Sequence, residues 1–304
     1  MVLLYIPPVQ NLLRREVTAY ASKATGMQIQ VERIDLRFPL NLLVRGVEVI
    51  QQPDTLLSLE SLNVRVQAWP LLKGKVEVDE VTLSQVAVNS ANLIEGMQIK
   101  GVLGRFFLQS HGVDLSNETA VVNRTELSDT HIQLLMTDTT TTPKDTTASA
   151  PVNWKVNLHQ LKLKNVSFGM KLPADSMKMA AYIGEATIDD AKADLKNQFY
   201  GLKQFLLSGA SASYDTGEAQ PSEGFDASHM AVRNIRIGLD SLLYEGRNMN
   251  AVIREITMEE RSGLSITSLT GRLFSNDSII RIPELKLQTP HSEIDLSPRL
   301  IGNS

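Results

Sequence analysis

The side chains to weigh first as chemistry are the five histidines, His111, His131, His159, His229 and His291. A zinc site needs three or four such ligands gathered on shared elements. None of these histidines pairs at HxxxH or HxH spacing, and the absence of cysteine removes thiolate sites and disulfides alike. No GxSxG elbow, P-loop or GxGxxG run occurs. The adjacent acids Asp189 and Asp190, and Glu259 and Glu260, would point to opposite faces of a strand, so they read as solvated charges rather than an acid/base pair. The residue types and spacings therefore speak against an enzyme and call for no metal and no cofactor.

The elements that would position any site announce themselves through a different signal. In KVEVDEVTLSQVAVN the apolar positions are Val76 and Val78, then Val81 and Leu83, then Val86 and Val88. In WKVNLHQLKLKNVSFGM they are Trp154, Val156 and Leu158, then Leu161 and Leu163, then Val166, Phe168 and Met170. Alternation predicts a strand with one apolar and one wet face. The slip between pairs predicts a bulge or corner that keeps the apolar face on one side. What covers that face is the functional question. Two halves of the sheet closed into a sandwich and an open trough covered by lipid both satisfy the pattern.

The chain has 304 residues, of which 42% are hydrophobic and only 5% aromatic, a balance that favours sheet over helical bundle. The net charge of −4 has no basic block, so nucleic acid is not an expected partner. Residues 1–6 (MVLLYI) are too few to span a bilayer and read as the remnant of a membrane anchor. An amphipathic helix is predicted over 7–26, with Val9, Leu12, Leu13, Val17, Tyr20, Ala21 and Ala24 on the sheet side and Gly26 as its stop. Arg14, Arg15 and Lys23 form the membrane-proximal basic face. Residues 27–304 are read as one β domain. It is interrupted by a flexible, dispensable Thr-rich loop over 137–150, with short strands and glycine turns over 90–112 and a short helix over 199–207.

The stretch TGMQIQVERIDLRFPLNLLVRGVEV, with DTLLSLESLNVRVQAWPLLKGKVEVDEVTLSQVAV after it, resembles the start of AsmA-like and TamB-like envelope proteins. The shared order is an anchor, an amphipathic helix, Thr25-Gly26, paired strands around Phe38-Pro39, and the segment from Pro70 to Val78. The region from Phe225 to Phe274 is similar to TamB as well.

The resemblance implies a long curled, antiparallel-rich sheet forming an open apolar groove. It implies the N-terminal part of a periplasm-spanning, bridge-like lipid transfer protein. The chain would be anchored to the inner membrane and conduct phospholipid between inner and outer membrane, with an outer-membrane barrel protein of the TamA type as partner. The lining is then expected from Ile29, Val31, Ile34, Leu36, Val64, Val66, Val76, Val78, Val81, Leu83, Trp154, Val156, Leu161, Leu163, Ile235, Ile237, Ile280, Ile282, Leu285 and Leu287. The rival expectations are a factor that assembles outer-membrane barrel proteins, a β-helical carbohydrate-active enzyme, and a structural adhesin domain. The enzyme would need a regular coil period and clustered acids on one strand face, and neither is visible.

Overall fold

Alternating Val, Ile and Leu turn most of the described residues into strand. A computed structural model describes residues 7–67, 78–90, 93, 96–114, 117–136, 153–217 and 220–301. Helix α1 (Pro7–Thr25) leads to β1 (Gln28–Arg37), β2 (Asn41–Gln51), β3 (Asp54–Val66), β4 (Val78–Asn89), β5 (Met97–Asp114) and β6 (Thr119–Met136). There follow β7 (Lys155–Leu172), β8 (Met177–Asp194), β9 (Phe199–Leu202), β10 (Gln204–Asp215), β11 (His229–Glu245) and β12 (Asn248–Glu260). The last strands are β13 (Ser265–Ser275), β14 (Ile279–Arg281), β15 (Leu285–Gln288), β16 (Glu293–Leu296) and β17 (Arg299–Ile301). All belong to one mixed, mostly antiparallel sheet, with 74% of the described residues in strands.

Sequence order is largely spatial order. Strands β1 to β6 pair each with the next, antiparallel. β6 and β7 run parallel, and β7 to β8 is antiparallel again. β8 is flanked by both β9 and β10, which share β11 as their other neighbour. β11, β12 and β13 continue the sheet, and β14 to β17 extend it in short pieces. Because Thr119 faces Lys155 across the parallel pair, the chain leaving Met136 must return along the length of β6 before β7 begins. The expected loop over 137–150 lies outside the described residues, as do residues 1–6 and Val76.

Two local expectations are corrected. Residues 90–112 do not form short strands around glycine turns. β5 is a single long strand, and Gly101, Gly104 and Gly112 lie within it. Residues 199–207 are not helical but form β9 and the start of β10, because their apolar side chains join rows that already exist on neighbouring strands.

Little of the sheet is sealed from solvent. Among the described residues the buried apolar set is Leu56, Ala120, Val122, Ala186, Ala210 and Ala251, and no large side chain is fully buried. A closed sandwich of this length would bury its Leu, Ile and Phe side chains in the space between two facing sheets.

Candidate functional site

Side chains that face each other across paired strands share a face of the sheet. Following the register from β1, one row reads Ile34, Val44, Leu62, Leu83, Phe106, Leu127 and Leu163. It goes on through Ala186, Leu207, Ile237, Ile256, Leu269 and Leu287 to Ile294 in β16. A neighbouring row holds Leu36, Leu42, Val64, Val81, Leu108, Thr125, Leu161, Ile188, Phe205 and Leu239. The alternate rows are polar, for example Arg33, Arg45, Ser61, Ser84, Arg105, Ser128, Lys164 and Glu185. The apolar rows are half-buried along most of their length, and Ile132 and Phe168 of a further row are 40% and 41% exposed.

The slips in the sequence rhythm are corners, and they line up. Gly46, Gln85, Asp129, Asn165, Gly209 and Asn234 all have positive φ, and they fall where paired registers skip a residue. A residue in this left-handed region bends its strand and lets two successive polar side chains stay on the wet side. The facing positions in β5 and β8 are Gly104 and Gly184, where a Cβ would meet Asp129 and the Gly209 carbonyl within 3 Å. A second line runs through His111, Asn123, His159 and Asp190, the last also with positive φ. Polar pairs bridge both lines: Asn165 donates to Asp129 at 2.8 Å, His111 meets Asn123 at 2.6 Å, and Asp190 lies 3.2 Å from His159 and 3.7 Å from Lys203.

The expected lining residues that are described fall on these elements. Ile34, Leu83, Leu163, Ile237 and Leu287 belong to the first row, and Leu36, Val64, Val81 and Leu161 to the second. Ile29 and Val31 sit before the corner of β1, Val66 faces Val78, Val156 faces Ala120 and Ala193, and Ile235 faces Ala210. Leu285 faces Leu296 in β16. Ile280 faces Leu300 and is 42% exposed, and Ile282 abuts Gly271. Trp154 lies ahead of β7, its carbonyl accepting from Leu195 N–H at 3.0 Å.

Helix α1 does not present the whole of its expected apolar stripe to the sheet. Its i, i+4 polar stripe, Gln10, Arg14, Thr18 and Ser22, lies against the outer edge of β1. Gln10 donates to the Leu36 carbonyl at 3.0 Å, Arg14 to the carbonyls of Val31 and Glu32 at 3.1 and 3.2 Å, and Ile29 N–H to Ser22 Oγ at 3.1 Å. An edge strand presents unpaired backbone groups, and polar side chains satisfy them better than leucines can. Leu12 and Tyr20, expected on the sheet side, are 56% and 77% exposed. Arg14 thus leaves the basic face, where Arg15 and Lys23 remain exposed.

A cavity of about 1070 Å³ opens at the strand ends of β5–β8 and β10–β12. Its lining includes whole rows of the polar face, His131–Ser167–Tyr182–Ser211 and Lys100–Gln133–Gly169–Ala180–Ser213–Ala231, together with Leu134, Phe168, Met170 and Met179 of the intervening apolar rows. None of the expected groove residues contributes to it. Sequence reasoning missed it because its residues come from strands far apart in the chain.

No cluster of metal-ligating side chains occurs among the described residues. Four of the histidines, His111, His131, His159 and His229, make local side-chain pairs. His229 is buried and meets Asp226 at 2.9 Å, and His131 meets Ser167 at 2.6 Å. Asp226 accepts from the N–H groups of Ser222 and Ser228 as well, and these bonds hold its carboxyl well below the usual carboxylate range. Glu260, expected to be solvated, is buried and accepts from the N–H groups of Ser262 and Ala231. No helix among the described residues is long and apolar enough to cross a membrane.

Compared with family models and with curated proteins, the chain matches none.

Proposed function

We propose that this chain carries lipid acyl chains along the apolar face of its sheet. It would act as the N-terminal part of a bridge between the inner and outer membranes of a bacterial envelope. The observation that carries the reading is the apolar row from Ile34 to Ile294, continuous across the sheet yet only half-buried. An apolar face of that extent is an interaction surface. An acyl chain laid on it gains about 0.8 kcal/mol per buried CH₂. The two aligned lines of corners support the same reading, since bends that repeat from strand to strand curl a sheet. Exposed Leu12 and Tyr20, beside Arg15 and Lys23, suit α1 to lie against an acidic membrane surface.

The test is site-specific photo-crosslinking. A probe at Leu83 or Leu163 should capture phospholipid, whereas one at Ser84 or Lys164, next along the same strands on the polar face, should not. Equal capture at both, or none at either, would sink the proposal.

A second reading, assembly of outer-membrane barrel proteins by strand addition, is favoured by the far end of the sheet. There β16 is exposed throughout, and Leu296 and Leu300 are 52% and 67% exposed. It predicts that probes at Leu296 or Leu300 crosslink nascent barrel strands rather than lipid.

A further inference from the structure

We infer that the cavity on the polar face is a second binding site, for an oxyanion of the phosphate class. The proposal does not depend on lipid carriage by the apolar face, because Lys100, Lys171 and Lys178, on which it rests, belong to the alternate, polar rows of the strands. Lys100, Lys171, Lys178 and Arg261 surround the cavity, in a chain whose net charge is −4. Lys171 and Lys178 stand directly opposite each other on β7 and β8. Like charges so placed repel across the ladder, and an anion between them removes that repulsion. The other charged groups of the lining are mostly engaged. Arg233 pairs with Glu259 at 3.0 Å, and Glu260 is held by backbone N–H groups. Asp215 faces Lys178 from β10 and offsets one charge of the four.

The floor suits close approach. Gly169, Ala180, Ser213 and Ala231 form one row of small residues, so a ligand can reach the backbone between the cationic walls. A Cβ on Gly169 would meet only Gln133 Cγ and the Met179 carbonyl oxygen, each at an ordinary contact distance of 3.9 Å, so the backbone there is not tightly overlaid. At about 1070 Å³ the cavity is large enough for a headgroup-sized ligand. A site ringed by cations with low-dielectric walls focuses its potential on a multiply charged anion. Primary ammonium groups bind phosphate as point charges, without demanding one geometry.

The experiment titrates the full chain with glycerol phosphate and, separately, with phosphatidylglycerol and phosphatidylcholine vesicles. Three variants run beside it: K171Q/K178Q, G169F, and K162Q/K164Q, which removes two charges elsewhere on β7. Glycerol phosphate binding identifies a free phosphate ester as sufficient. Binding only to phosphatidylglycerol identifies the headgroup of an anionic lipid. Either supports the site, provided K171Q/K178Q weakens it by about tenfold or more, as loss of two charge-assisted contacts should. G169F should block binding while leaving the circular dichroism spectrum unchanged. The proposal is overturned if no phosphate-bearing probe binds, or if K162Q/K164Q weakens binding as much as K171Q/K178Q. It is also overturned if G169F, still folded, binds as the parent does.

Discussion

An ideal Cβ on Gly104 would lie 2.7 Å from the Cβ of Asp129 and 2.8 Å from its carbonyl oxygen. That is backbone against backbone, with no flexible side chain to yield. Gly104→Val should therefore cost about 1–3 kcal/mol, as overpacking does, read as a lowered urea midpoint. Gly169→Ala, whose Cβ would meet only ordinary contacts at 3.9 Å, should be close to neutral in the same assay. Asp226 makes the second prediction at this scale. Its folded carboxyl sits below the ordinary Asp range because Ser222 and Ser228 N–H and His229 bond the ionised form. A depressed folded value means that the carboxylate stabilises the fold above about pH 4 and loses that contribution as pH falls. Asp226→Asn should lower the melting temperature at pH 7. It should also flatten the fall in stability between about pH 5 and pH 2 relative to the parent.

At the scale of elements, the parallel β6–β7 pair predicts that the Thr-rich segment, expected from its composition to be dispensable, is needed for its length. β6 has 18 residues. At about 3.3 Å per residue it runs roughly 55 Å before bending is allowed for. Removing residues 138–149 would leave a connection reaching about 25 Å at most. That deletion should abolish cooperative unfolding. A Gly/Ser replacement of equal length should retain it, because reach and not sequence is what the topology demands. Two equally stable proteins would show that β7 can enter the sheet another way. Helix α1 is the other element with a separable role. Arg14→Met removes two donors from the β1 edge and should cost about 1–2 kcal/mol. Arg15→Glu with Lys23→Glu should spare stability and weaken binding to acidic vesicles in a salt-dependent way. Equal loss of stability in both variants would mean that the helix has no separate membrane face.

For the whole molecule, the consequence of a half-buried apolar face is a shallow energetic response to truncation. In a closed core, Leu→Ala costs about 2–5 kcal/mol. Leu163→Ala, on a face still partly in water, should cost about 1 kcal/mol by denaturant titration. A loss of 3 kcal/mol or more would mean that the row is sealed in solution. Stability must instead come from the ladders themselves, since each strand is tied to neighbours along most of its length and both strand faces meet solvent at the cavity end. Such a molecule gains its cooperativity through pairing and not through a central core.

The one-dimensional pattern was enough to determine most of the strands, their apolar face and the places where they turn corners, though not the unbroken length of β5 or the strand character of 199–207. Each of these depends on residues a few positions apart: Val81, Leu83 and Val86 carry the corner at Gln85, and Leu161, Leu163 and Val166 carry the one at Asn165. Three features depended on the tertiary structure. The parallel β6–β7 pairing is a choice among neighbours that alternation leaves open, because a strand's face is the same whichever way its neighbour runs. The orientation of α1 followed what lay beneath it. The helix met backbone groups at a sheet edge rather than an apolar surface, so Gln10, Arg14 and Ser22 turned inward and Leu12 and Tyr20 outward. The cationic cavity gathers Lys100 and Arg261 into one lining through strand pairings that span more than half the chain. Spacing along a sequence carries no record of such neighbours, because register across a sheet is decided by every intervening strand at once.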